Sequence, residues 1–97
     1  MSRIINSKIS KYQMFCKIEL DSKEKILISV AQKGLKIFKM IFGSIPVKTI
    51  VDMSIEEMND HFADPEHYGE PILNFIVDKI LPFNSTSEIM NAYPINK

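Results

Sequence analysis

Both histidines of the chain, His61 and His67, lie in the stretch HFADPEHYGEP at residues 61–71, and Asp60, Asp64, Glu66 and Glu70 stand in or beside it. Imidazole and carboxylate groups ligate zinc and move protons, so chemistry is sought here first. A structural zinc site needs four donors converging to about 2.0–2.2 Å from a rigid scaffold. The usual helical pair of histidines is four residues apart, which stacks both rings on one face. Six residues separate His61 from His67, turning the rings about 240° apart on a continuous helix. Pro65 and Gly69 would interrupt that helix in any case. The stretch reads better as a junction, with Asp64-Pro65 opening a turn and Glu66 and Glu70 near a helix N-terminus, where negative charge is favoured. His61, Asp64 and His67 are the metal or acid/base candidates, ranked last among the readings.

Nucleophilic chemistry has less to draw on. Cys16, the only cysteine, falls on the apolar side of an alternating segment, where a thiol is a small hydrophobe, and neither histidine is near it in sequence to activate it. No serine sits in a G-x-S-x-G elbow. The three glycines, Gly34, Gly43 and Gly69, are too scattered for a phosphate-cradling loop or a dinucleotide fingerprint. The expectation is a non-enzymatic chain that takes no cofactor.

Charge is the next signal. The net charge is zero, but residues 1–50 carry ten cations and three acids, while residues 51–97 carry two cations and nine acids. Such asymmetry raises nucleic acid and anionic membranes as partners, or a basic surface meeting an acidic one. A lone cysteine permits no intrachain disulfide and fits a reducing compartment. The first ten residues, MSRIINSKIS, hold no signal-peptide core. No run approaches the roughly 20 apolar residues of a spanning helix. A soluble, cytoplasmic protein is expected.

The elements that must position these residues divide as the charge does. Ninety-seven residues suit one domain, read as an N-terminal arm (1–11), a strand-rich basic half (12–51), a helical acidic half (52–82) and a polar tail (83–97). In residues 12–20, Tyr12, Met14, Cys16, Ile18 and Leu20 alternate with mostly polar neighbours, the period of a half-buried strand. Further strands are expected over 26–30, 35–42 and 45–51. Turns fall at 21–25, Lys33-Gly34 and Gly43-Ser44, and Pro46 suits a sheet edge. The apolar sets align when Ile18 pairs with Ile28, Cys16 with Val30, Val30 with Ile37 and Ile26 with Ile41. Ser54 followed by Glu57 has capping-box spacing. Ile55, Met58 and Phe62 then form one helical stripe, and Ile72, Leu73, Ile76, Val77 and Ile80 form another between Pro71 and Leu81. Ser85 and Glu88 repeat the cap spacing, predicting one further helical turn. The fold class expected is α+β, an antiparallel meander of about four strands followed by two main helices packed on one face.

In that register the second sheet face gathers Phe15, Leu27, Phe38, Met40 and Phe42, residue types enriched at interfaces. Lys17, Lys25, Lys36, Lys39 and Lys48 border them. The first functional expectation is a protein-interaction module that self-associates through this face, with a dimer favoured, or docks another protein. The second is single-stranded nucleic acid or anionic lipid bound by the lysines, with phenylalanines as stacking platforms. Guanine-edge reading is poorly served, because Arg3 is the only arginine. A recognition helix is excluded on charge, since the expected helices are acidic.

Overall fold

A computed structural model describes residues 2–9, 13–31, 34–42, 45–54, 56–57, 74 and 76–93. Five antiparallel strands follow one another in space as in sequence: β1 (Arg3–Ile9), β2 (Met14–Glu19), β3 (Lys25–Ala31), β4 (Gly34–Ile41) and β5 (Ile45–Ser54). A π-helical turn (Ile76–Ile80) and one short helix, α1 (Thr86–Ala92), follow. This corrects the expected architecture. Among the described residues the sheet has five strands, α1 is short, and no pair of main helices packs on one face. The missed strand is β1, within what was expected to be an arm. Its register is broken by a bulge between Ile4 and Asn6, so Ile4 and Ile5 stand together and the period of two is hidden. The presumed helix ending at Leu81 closes as a π-turn, with the amide of Leu81 donating to the carbonyl of Ile76, five residues back, at 2.9 Å. Residues 58–73, which carry most of both expected helical stripes, lie outside the described residues, as do His61, Asp64 and His67.

The core lies on one face. Met14, Cys16, Ile18, Ile26, Ile28, Val30, Leu35, Ile37, Val51 and Met53 are buried there against Ile76, Ile80 and Ile89. Isoleucine dominates because a β-branched chain fits the pleat. The observed register differs from the expected one by two residues: Cys16 faces Ile28, Ile18 faces Ile26, and Val30 faces Leu35. A slip of two keeps every side chain on its face, whereas a slip of one would have exchanged core and surface. Ile26 therefore meets Lys39, not Ile41, and Ile41 is exposed.

Gly34 is not a turn residue. It pairs with Ala31 and with Ser54, and its φ of +129° belongs to glycine. A Cβ there would overlap the carbonyl oxygen of Met53, so glycine is what lets β4 and β5 approach. Both cap predictions find their hydrogen bonds. The Glu57 amide donates to Ser54 Oγ at 3.2 Å while Glu57 Oε1 accepts from the Ser54 amide at 3.4 Å. At α1, the Glu88 amide donates to Ser85 Oγ at 3.4 Å, and Asn84 donates to Glu88 Oε2 at 2.9 Å. Among the described residues no helix is long and apolar enough to cross a membrane.

Candidate interaction surface

The strand pairings lay out the open face of the sheet as three rows. One row runs Lys8, Phe15, Ser29, Lys36, Asp52 from β1 to β5; the next runs Asn6, Lys17, Leu27, Phe38, Thr49. The third runs Arg3, Glu19, Lys25, Met40, Pro46. Phe15, Leu27, Phe38 and Met40 thus form an apolar diagonal across β2, β3 and β4. Five cations flank it, against the two acids Glu19 and Asp52. Phe15 is 38% exposed, and Leu27 and Phe38 are half-buried. Beside them, Asn6, Ser7, Lys8, Phe15, Lys17 and Leu27 line a shallow hollow of about 300 Å³, at the small end for ligand pockets.

Two of the expected interface residues sit differently. Met40 is on this face but only 5% exposed, so it supports the diagonal from below. Phe42 stands at the tip of the β4–β5 hairpin and is 90% exposed. The lysines divide as well. Lys17, Lys25 and Lys36 belong to the open face, whereas Lys39 and Lys48 oppose each other on the helix-bearing side. Alternation of side chains along β4 forces this split, because Lys36 and Lys39 are three residues apart. Sequence reasoning missed Arg3, Asn6 and Lys8, which β1 brings into the rows. It also missed the exposed apolar side chains Ile41, Ile45 and Val47; the signal was present in the run IFGSIPV, apolar on both sides of a glycine turn.

The most perturbed carboxylate works as a clamp. Glu24, in the β2–β3 turn, accepts from Thr86 Oγ1 at 2.6 Å, Ser22 Oγ at 2.7 Å, the Thr86 amide at 3.1 Å and Lys39 Nζ at 3.3 Å. Burial pushes this carboxyl up, but the bonds from Thr86, Ser22 and Lys39 outweigh it and hold it down at about 2. Its two bonds to Thr86 fix the start of α1 on the sheet, and those to Ser22 and Lys39 hold the carboxylate in place. Ser2 ties the opposite chain end to the same region, donating to the Phe83 carbonyl at 2.7 Å and accepting from the Asp21 amide at 3.1 Å. Cys16 is fully buried, and desolvation pushes its thiol up to about 11, so it stays protonated at neutral pH. Among the described residues no three His, Cys, Asp or Glu side chains gather into a metal-binding group. Comparisons of the chain with protein-family models, with curated proteins and with solved structures gave no match.

Proposed function

We propose that this chain is a non-catalytic interaction module that self-associates as a dimer through the open face of its sheet. The observation that carries the reading is the self-complementarity of the three rows. Turning a second copy about an axis parallel to the strands sets β1 over β5 and β2 over β4, with β3 on itself. Lys8 then faces Asp52, Lys17 faces Phe38, Lys36 faces Phe15, and Leu27 meets Leu27 at the centre. Each is a favourable encounter: an ion pair, two cation–π contacts and an apolar contact. Two encounters are unfavourable, Lys25 meeting its own copy and Glu19 facing Met40, and both fall in the row at one end of the face. Edge pairing is a poor alternative, because β1 carries a bulge and Lys8, and β5 carries Pro46 and two register shifts.

Light scattering on a sizing column, across protein concentration and salt, tests this directly. A dimer is expected. A monomer at every concentration and ionic strength would end the proposal. The charge swap sharpens it: Lys8→Asp weakens association, and Lys8→Asp combined with Asp52→Lys restores it.

A second reading, single-stranded nucleic acid or anionic lipid on the same face, draws on lysines that share rows with both phenylalanines, Lys8 beside Phe15 and Lys17 two places from Phe38. Polyanion binding weakens steeply with salt, whereas an apolar dimer persists. Resonances of Phe15 and Phe38 unmoved by an oligonucleotide or by anionic vesicles at low salt would remove it.

A further inference from the structure

The β4–β5 hairpin ends in side chains that contribute little to the fold. Ile41, Phe42, Ile45 and Val47 are all exposed, Phe42 most of all. Phe42 also holds φ at +51°, a left-handed conformation that glycine or asparagine adopts at lower cost than a bulky aromatic residue. A strained, solvent-facing phenylalanine gains nothing in the monomer, and such outliers motivate a search for function.

Charge surrounds this tip at a defined depth. Behind the Ile41–Ile45 pair, Met40 is flanked by Lys25 of β3, and one rung further Lys39 opposes Lys48. At about 3.3 Å per residue the Lys39–Lys48 rung is about 7 Å behind the Ile41–Ile45 rung. That offset lies within the roughly 5–10 Å by which an interfacial apolar surface sinks below lipid headgroups. Like charges directly opposed on neighbouring strands repel. Lys39 is partly offset by Glu24 at 3.3 Å, and Lys48 is exposed with no ion-pair partner among the described residues. An anionic layer at this level relieves the repulsion.

We infer that the β4–β5 hairpin tip is an anchor for anionic lipid surfaces, with Ile41, Phe42, Ile45 and Val47 entering the acyl boundary and Lys25, Lys39 and Lys48 meeting headgroup phosphates. The site is distinct from the open face proposed for self-association, and its apolar side chains are more exposed than Leu27 and Phe38 of that face.

The test is co-sedimentation of the full chain with vesicles of neutral phosphatidylcholine and of phosphatidylcholine containing phosphatidylserine. Binding is expected only to the anionic vesicles and is expected to fall with salt. Phe42→Asn, which suits the left-handed backbone and leaves the melting temperature unchanged or higher, reduces binding about tenfold or more. Lys48→Glu reduces it about fivefold or more. No binding by the unaltered chain overturns the inference, as does equal binding to neutral vesicles. Binding that survives Phe42→Asn but is lost on Lys17→Glu with Lys36→Glu also overturns it, and assigns lipid to the open face. Should Phe42→Asn abolish association of copies while vesicles bind nothing, the tip is a protein contact. Self-association through the open face stands or falls separately, because it is read by light scattering on the Lys8 and Asp52 variants.

Discussion

One sheet carries two faces built from the same strands, and they obey different rules. On the covered face, Cys16, Ile18, Ile26, Ile28 and Ile37 are almost wholly buried and meet Ile76, Ile80 and Ile89. On the open face, the interleaved residues Phe15, Lys17, Leu27, Lys36 and Phe38 keep partial contact with water. Alternation along a strand sends neighbouring residues to environments that differ by a full layer of protein. The covered face holds the fold through apolar burial, worth roughly 1.5–3 kcal/mol for each large side chain. The open face contributes less burial, apart from Met40, which is 5% exposed. Parity along each strand thus separates most of the burial onto one face.

Substitutions can break that separation, and the largest effect belongs to a residue with no side chain at all. Gly34→Val places a Cβ against the Met53 carbonyl at a φ that only glycine tolerates; it should destabilise by about 4 kcal/mol, read as loss of the cooperative urea transition. Ile28→Ala, at the centre of the covered face, should cost about 2–5 kcal/mol, measured from the shift in urea midpoint at constant slope.

Next comes the Glu24 clamp. Glu24→Gln keeps the shape and loses charge-assisted bonds, costing about 2 kcal/mol at neutral pH. Because the folded carboxyl sits at about 2, below its ordinary 4.5, its contribution is complete above about pH 4.5 and is lost as pH falls through 2. The unaltered protein should therefore lose more stability than Glu24→Gln between about pH 5 and pH 2.5. Equal losses would show that Thr86 and Ser22 hold α1 without help from the charge. The smallest effect is expected on the open face, where Phe38→Ser should change monomer stability by about 1 kcal/mol or less while reducing association of copies. A loss as large as that of Ile28→Ala would mean that both faces serve the fold, and the contrast would fail.

The sequence alone placed four strands between residues 14 and 51, because alternation between apolar and polar residues is a local property; β5 runs on to Ser54, into what was read as the helical half. It determined both helix caps, since Ser54 with Glu57 and Ser85 with Glu88 act over three residues. Face membership of Phe15, Lys17, Leu27, Lys36 and Phe38 was legible for the same reason: parity survives a slip of two; Lys39 and Lys48, expected to border that face, lie on the other side. Three features needed the tertiary structure. β1 was hidden because its bulge spoils alternation, and only pairing with β2 gives Asn6 and Lys8 their places. The stripe ending at Leu81 has helical spacing, yet what forms at its end is a π-turn over Ile76–Ile80, whose Ile76 and Ile80 join the core. Phe42 was expected among the interface residues of the open face and Ile41 opposite Ile26 in the core, until the fold placed both at an exposed tip. Local periodicity fixes which residues share a face, but depth depends on what else the chain brings to that face, and that information is spread over residues far apart in sequence.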